Sequence, residues 1–448
     1  MHRDAQGLPL TTASAAAAGA YDHAVEGYLR YAADAGTRIK PLLEADPAAP
    51  MAQVLAGSFA MLAFRADAVP GAAAAAARAA ALPGTAREQA HAAALTAWAG
   101  GAPEQALARW EAILATHPQD ILAFRLHHFV AFWSGAGARM LANAEQVLPR
   151  IDPAMPGAAL LLGCRAFAHE EAGLYTTAEE YGRAAIDASP GDLWAAHAVA
   201  HVFEMQGRRA EGTAWIVRLQ PHWAAGNNLK HHLWWHEALY ALEQGDHGRV
   251  LALYDTGFRD LASPLTAALP DLYIDVQNAC SMLFRLQLRG VDAGARWEEL
   301  ADRAEARIGD TASAFTLPHW MMALAGAGRF AAAERMLDAL RDAAAATPHG
   351  PGVTLREAAL PACAAVLHRA RGAHAAAVEA LRPALGALPR LGGSHAQQDV
   401  LAQLFLDSAI RAGRRPDAVL LLERAAARHP LPLARRAAYA EAAAALGF

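Results

Sequence analysis

The chain is poor in cysteine, and this limits the fold classes open to it. Its 448 residues contain three cysteines, Cys164, Cys280 and Cys363. Their number is odd and they lie far apart in the sequence, whereas a disulfide framework uses an even number of cysteines at short spacings. We therefore expect free thiols in a reducing compartment and assign the chain to the cytoplasm.

Long apolar runs are also missing. Residues 1–24 contain an alanine run but no stretch of Leu, Ile, Val or Phe that could form the core of a signal peptide. The most apolar segment, residues 71–84, is interrupted by Arg78 and is too short for a bilayer core of about 30 Å. We expect neither a secretory leader nor a membrane span.

No excess of one charge sign is present. The formal net charge is −5 at pH 7 and the sequence pI is about 6.5, with acidic and basic residues interleaved along the chain. Proteins that bind nucleic acids carry basic patches, and those that bind anionic membranes carry polybasic segments. These observations exclude nucleic acid and membrane as expected partners.

No Gly-rich nucleotide loop, GxSxG elbow or CxxC pair occurs in the sequence context that its function would require. Nucleotide-dependent, serine-hydrolase and thiol-redox chemistry are therefore disfavoured. No segment alternates strictly between apolar and polar residues, as a half-buried strand does. Alanine, leucine, arginine and glutamate are abundant and favour helix, so the predicted fold class is all-α.

What the chain has instead is a repeated glycine. A small or apolar residue follows it at +5, apolar or small residues at +9 and +12, and often proline at +17. The strongest copies start at Gly101, Gly173, Gly372 and Gly413, weaker copies start at Gly135, Gly207, Gly245, Gly290 and Gly328, and a degenerate one is centred near Asp67. Gly101 and Gly135 are 34 residues apart, as are Gly173 and Gly207, which is the tetratricopeptide period, and the other successive glycines are farther apart.

The repeat predicts pairs of helices. Glycine ends the first helix because it takes a left-handed backbone conformation without steric cost, and proline stops the second. Such pairs bury their apolar stripes by stacking, so we predict a right-handed superhelix, an α-α solenoid, with a concave face. We predict one continuous domain over residues 1–448, with an N-terminal arm at 1–20, atypical helices at 21–84 and tetratricopeptide-like repeats at 85–448.

The sequence also resembles a known family, the tetratricopeptide-repeat protein thirty-eight family. The resemblance covers nearly the whole chain in the same order. Its most similar stretches are TAREQAH at 85–91, DLWAAHAVAHVFEM at 192–205, HHLWWHEALYALEQGDHGRVLALYD at 231–255, CSMLFRLQLRGVDAGARW at 280–297 and LGGSHAQQDV at 391–400. The resemblance implies a helical-repeat fold but does not supply a mechanism.

Tetratricopeptide repeats, by resemblance, turn positions two, five, nine and twelve of each first helix towards the concave groove. Counting back from the turn glycines places several chemically useful side chains at or beside these positions. The predicted ligand-binding residues are His91, Arg125, Phe129, Trp235, His236 and Cys280. Trp235 and Phe129 would stack on a ligand, and Arg125 would bind an anionic group.

The densest pattern is a stripe of His197, His201 and Glu204. A helix turns about 100° per residue, so His201 lies about 40° from His197, and Glu204 lies about 20° to its other side. Two histidines and a glutamate at this spacing could bind a divalent metal such as zinc, with His232 as a fourth ligand. Alternatively, His197, His201, Glu204 and His232 could act as acid or base groups without a metal.

We therefore expect a central concave cavity that binds a small molecule and catalyses its hydrolysis or elimination, with or without a metal. The alternative is a non-catalytic scaffold that binds a peptide in the groove. Whether the chain forms a homo-oligomer is left open.

One further motif, around residues 392–397, could suggest a phosphate-binding loop. Ser394 stands three residues before Gln397, which is the spacing of a capping box at a helix start. We interpret this motif as structural.

Overall fold

The all-α prediction is confirmed by a computed structural model that describes residues 2–448. Within that range the chain forms 25 α-helices and two strands of two residues each. The strands β1 (His2–Arg3) and β2 (Pro9–Leu10) pair antiparallel, with His2 opposite Leu10.

The described residues form two compact units. The first contains residues 2–199 and 219–229, and the second contains Ala200–Arg218 and Lys230–Phe448. One helix, α11, begins in the first unit and ends in the second. The single continuous domain over residues 1–448 stays a prediction.

The first unit begins with a helix that starts inside the predicted arm, since α1 starts at Ala15 rather than near residue 21. Ser14 caps this helix, because its side chain accepts a hydrogen bond from the backbone N–H of Ala17. The helices that start in this unit are α1 (Ala15–Leu29), α2 (Ile39–Ala45), α3 (Pro50–Leu62), α4 (Val69–Ala81), α5 (Ala86–Ala99), α6 (Pro103–Thr116), α7 (Ile121–Trp133), α8 (Gly137–Val147), α9 (Ala158–Glu171), α10 (Tyr175–Ala188) and α11 (Leu193–Gln206).

The second unit contains the remaining helices and π-helical turns at Tyr254–Phe258 and Leu355–Ala359. Its helices are α12 (Arg209–Leu219), α13 (Leu229–Glu243), α14 (His247–Leu253), α15 (Pro264–Ala268), α16 (Tyr273–Leu288), α17 (Arg296–Ala306), α18 (Thr316–Gly326), α19 (Phe330–Ala346), α20 (Pro351–Thr354), α21 (Leu360–Ala370), α22 (His374–Leu381), α23 (His395–Arg411), α24 (Arg415–Arg428) and α25 (Ala440–Leu446). The end residues Leu219 and Leu229 belong to the first unit.

The nine predicted turn glycines each join the two helices of a pair, from α5 and α6 to α23 and α24. All nine have a left-handed backbone, with φ between +66° and +78°. In each turn the N–H of the residue after the glycine donates to the carbonyl four residues before the glycine, as from Ala102 to Ala97 at 2.8 Å. This is a Schellman cap, and it satisfies a carbonyl that the helix end would leave unpaired. The tetratricopeptide-like helix pairs are confirmed.

The degenerate copy near Asp67 is also a helix pair, α3 and α4. Here Phe64 takes the left-handed conformation at φ +50°, in place of a glycine. A 3₁₀ turn at Ala66–Ala68 then leads into α4. The missing glycine explains why this repeat is weak in the sequence.

The first helices of successive pairs in the second unit contact one another, α16 with α18, α18 with α21, and α21 with α23. Helix α16 also contacts α23 directly. These inner helices therefore close on themselves, and side chains on them such as Phe284, Met322 and Val366 are buried.

Two further sequence predictions concern single features. Ser394 and Gln397 form both hydrogen bonds of a capping box at the start of α23, so their structural interpretation is confirmed. No helix within residues 2–448 is both long enough and apolar enough to traverse a bilayer.

Candidate functional site

Three histidines of the second unit lie together on α11 and α13. His201 is on α11, and His232 and His236 are one turn apart on α13. The ring centroids are 4.4 Å apart for His201 and His236, 4.9 Å for His232 and His236, and 6.5 Å for His201 and His232. One ring nitrogen from each lies within 4.8 Å of the others. We call His201, His232 and His236 the histidine cluster.

The cluster is buried and electrically neutral. None of its three side chains is more than 2% exposed. Burial lowers the pKa of His232 to about 4 and the pKa values of His201 and His236 well below the ordinary value. Because neutral imidazoles with such low pKa values take up few protons at pH 7, they suit metal coordination better than proton transfer.

An amide from a neighbouring helix orients one of these rings. The Nδ1–H of His232 donates to Oδ1 of Asn278 on α16 over 2.7 Å. A neutral imidazole has one N–H, so this hydrogen bond leaves the Nε2 lone pair of His232 free of a proton. The arrangement is the kind that fixes the tautomer of a metal-binding histidine.

Trp235 lies against the cluster. Its ring stacks on His232, with centroids 4.9 Å apart and planes 13° apart, and the guanidinium of Arg285 lies 5.7 Å from the Trp235 ring centre. The indole is 1% exposed. Its contacts are therefore with the protein itself, whereas the sequence predicted stacking on a ligand.

His197 and His91 belong to the first unit. His197 is 2% exposed, and its ring stacks on Phe167 with centroids 5.3 Å apart. His91 is fully buried, and its Nε2 bonds to a carboxylate oxygen of Asp120 at 2.9 Å. Asp120 also accepts from Arg87 at 2.8 Å and caps α7, so His91 belongs to a structural ion cluster.

Arg125 and Phe129, also in the first unit, are buried on α7. The Arg125 guanidinium lies 4.8 Å from the ring centre of Tyr31, and its Nη1 donates to the Cys164 sulfur at 2.8 Å. Phe129 packs against Phe64, with centroids 5.8 Å apart. Arg125 is 2% exposed and Phe129 is 8% exposed, and their predicted role in ligand binding stays a prediction.

Cys280, at the centre of α16 in the second unit, is fully buried. Burial raises the pKa of its thiol far above the ordinary value. The thiolate, which is the reactive form, is therefore absent at neutral pH. The position predicted for ligand binding is one of core packing.

Glu204 stands apart from the histidine cluster and borders a cavity of about 50 Å³ in the second unit. We call this space the Glu204 cavity. Its charged lining residues, besides Glu204, come from α12, α13, α16, α23 and the segment 429–439; they are Arg209, Glu243, Arg285, Arg289, Asp399 and Arg436. A second cavity of about 100 Å³ shares the residues His395, Asp399, His429, Arg436 and Tyr439 with the first.

Two carboxylates in this lining are paired with three arginines. Glu243 accepts hydrogen bonds from Arg209 at 3.0 Å and from Arg289 at 3.2 Å, and Asp399 accepts one from Arg436 at 2.8 Å. Both of these carboxylates therefore already have arginine partners.

Arg285 is the exception. It is 2% exposed, and its guanidinium donates to the backbone carbonyls of Ala396 at 2.8 Å and Ser281 at 3.4 Å. It forms no ion pair with a carboxylate of residues 2–448. Burial lowers its pKa below the ordinary value, although the negative charge of the nearby Asp399 acts in the opposite direction.

Glu204 does not supply the missing negative charge. Burial raises the pKa of its carboxyl to about 8, and the nearby charge of Glu243 adds to the shift. The group is therefore mainly protonated at pH 7. With histidines counted as neutral, the lining then carries two more positive than negative charges.

These arginines were not among the predicted site residues, because they lie outside positions two, five, nine and twelve of the first helix. With Gly290 as position fifteen, Arg285 is at position ten and Arg289 is at position fourteen. The sequence signal that could have identified them is the pair itself. The two arginines lie four residues apart at the end of a helix whose other residues are largely apolar or uncharged.

No protein-family model matches the chain. Similar solved structures include the crystal structure of the APC/C hetero-tetramer Cut9-Hcn1, with a TM-score of 0.39 and 14% identity over 79% of this chain and 62% of that one. Another is the structure of Naa15/Naa10 bound to HypK-THB, with a TM-score of 0.25 and 11% identity over 92% of this chain and 64% of that one. The chain spans less than two thirds of the length of either match, and its function has to be argued from its own residues.

Proposed function

We propose that this chain binds a small anionic molecule in the Glu204 cavity, with the oxyanion of the ligand held by Arg285. The observation that carries the proposal is the buried guanidinium of Arg285, which bonds to backbone carbonyls and forms no ion pair with any described carboxylate. A buried charge without a partner is costly, so a bound anion would relieve the cost and gain charge-assisted hydrogen bonds.

The cavity limits the size of the group that enters it. One water needs about 10–15 Å³ by the same measure, so about 50 Å³ holds on the order of four or five non-hydrogen atoms. A carboxylate or a phosphate group fits this space, and the adjoining cavity could hold a short attached chain.

Glu204 is the group in this cavity most suited to chemistry. A protonated carboxyl beside a bound oxyanion can donate a proton to a leaving group, as hydrolysis or elimination would require. The proposal thus retains Glu204 as a candidate catalytic acid. His197, His201 and His232 are less suited to that role because all three are buried, and the two in the cluster have lowered pKa values.

Calorimetric titration of the full chain tests the proposal, using inorganic phosphate and succinate as separate probes to distinguish the two oxyanions. Arg285→Met should weaken binding of the preferred probe by about 30-fold or more, because removing one partner of a buried charge pair costs about 2–5 kcal/mol. Arg285→Lys should restore part of the affinity.

Arg335→Met is the matched control. Arg335 pairs with Glu305 on the surface of the same unit, where its side chain is 55% exposed. Binding that is equal in the wild type and Arg285→Met, or lost equally in both methionine variants, would contradict the proposal.

A second candidate is a protein-interaction scaffold, and the nine stacked helix pairs favour it because such repeats commonly present binding surfaces. It predicts that no small anion binds and that the chain forms a stoichiometric complex with a peptide that Arg285→Met does not weaken. The resemblance to the tetratricopeptide-repeat protein thirty-eight family and a cytoplasmic location belong to the proposal under either candidate.

A further inference from the structure

We infer that His201, His232 and His236 form a binding site for a divalent transition-metal ion, with zinc as the first candidate. Glu204, which the sequence suggested as a metal ligand, borders the cavity and is not among the residues whose ligand atoms lie close together. The inference is independent of anion binding by Arg285.

The first argument is the choice and placement of the donors. Imidazole nitrogen suits zinc, copper, nickel and iron, and three protein ligands leave one position of a tetrahedral ion for water or another donor. His232 and His236 are four residues apart on α13, so one turn of helix brings both to the same side. His201 meets them from α11.

The second argument is distance. Zinc–nitrogen bonds of about 2.0–2.1 Å place tetrahedral ligands about 3.3 Å apart. The chosen ring nitrogens all lie within 4.8 Å of one another, so side-chain rotations that move each by about 1 Å would complete the geometry.

The third argument is the support behind one ligand. Asn278 accepts the Nδ1–H of His232 at 2.7 Å and thereby presents Nε2 to the cluster. Asn278 is itself 1% exposed, so its orientation is fixed by packing. We assign it as a positioning residue, since such partners change metal affinity without touching the ion.

Metal binding by the purified full chain tests the inference. Zinc affinity is measured by competition with a chelating dye, and cobalt(II) replaces zinc for spectroscopy because tetrahedral cobalt(II) has intense visible bands. The wild type should bind one ion per chain, and His236→Gln should lower the affinity by about 100-fold or more. Asn278→Ala should lower it by about 10–100-fold while all three ligands remain.

His319→Gln is the matched control, because His319 is equally buried in the same unit and bonds to the backbone carbonyl of Phe315. It should bind zinc like the wild type. Circular dichroism without metal checks that each variant folds. The inference is overturned if the wild type shows no tetrahedral cobalt(II) spectrum, or if His319→Gln loses zinc as His236→Gln does. If His236→Gln does not fold, the wild-type spectrum and the zinc affinity of Asn278→Ala remain as the test.

Discussion

Glu204 and Arg285 line one cavity, yet burial affects the charge of each differently. The carboxyl of Glu204 avoids the cost of burial by keeping its proton, as its raised pKa of about 8 shows. An arginine has no such option at physiological pH and stays charged. The cavity therefore holds a neutral acid beside a buried cation that forms no ion pair, which is a suitable pair for a ligand that carries an oxyanion.

The raised pKa of Glu204 makes a prediction about stability against pH. Below its ordinary pKa of 4.5 the group is protonated in the folded and unfolded states alike, so it has no effect there. As the pH rises from 4.5 to 8, the unfolded carboxyl ionises while the folded one keeps its proton, and the folded state loses stability. Glu243 and Asp399 oppose ionisation in the folded chain, and Arg209 and Arg285 favour it.

Glu204→Gln removes this titration. Relative to the wild type, its free energy of unfolding should rise by roughly 2 kcal/mol between pH 5 and pH 8, a value reduced from that of a fully buried acid because Glu204 borders a cavity. Urea unfolding at the two pH values measures the difference, with Glu423→Gln on the exposed side of α24 as control. A difference that is constant with pH would show that Glu204 ionises normally.

At the scale of the helix pair, the turns were predictable and the contacts between distant helices were not. A Schellman turn requires one residue with a left-handed backbone, and nine glycines that recur between helical segments reveal that requirement in the sequence. The same holds for the capping box of Ser394 and Gln397, which involves residues three apart. Local geometry imposes a local sequence signal.

The direct contact between α16 and α23 has no such signal. It joins residues more than one hundred positions apart, as in the hydrogen bond from Arg285 to Ala396. Helix α16 carries the buried residues Cys280 and Phe284 in the same unit. A sequence can show that a helix face is apolar, but it does not show which distant helix covers that face.

The left-handed turns predict a large difference between two neighbouring glycines. Gly245 ends α13 at φ +77° with no atom within 4 Å of an added Cβ, whereas Gly248 lies inside α14. Gly245→Ala should destabilise the second unit by about 1–2 kcal/mol through backbone strain alone. Gly248→Ala should be neutral or stabilising by up to about 1 kcal/mol, since alanine favours helix.

Urea unfolding midpoints of the two variants, compared at equal slope, measure the effect. Equal stability of Gly245→Ala and Gly248→Ala would show that the turn does not hold a left-handed residue in solution.

At the scale of the whole molecule, the three cysteines report how completely the chain is packed. Cys164, Cys280 and Cys363 are each no more than 1% exposed, and burial raises the pKa of every thiol. A thiol reagent needs both access and thiolate, so none of the three should react in the native protein, whereas all three should react in concentrated guanidinium chloride. With a thiol reagent that releases a chromophore when it reacts, absorbance counts the reactive cysteines. Rapid labelling of any thiol in the native protein would show that the interior opens easily.

The central claim is that an anion binds at Arg285, and anomalous diffraction from a crystal of the full chain soaked in selenate tests it most directly. Selenate carries the tetrahedral oxyanion of phosphate together with a scatterer that can be located. The account predicts an anomalous peak in the Glu204 cavity, within hydrogen-bond distance of the Arg285 guanidinium, that is absent from Arg285→Met crystals soaked in the same way. A peak that persists in Arg285→Met, or a saturated wild-type crystal in which Arg285 bonds only to backbone carbonyls, would contradict it.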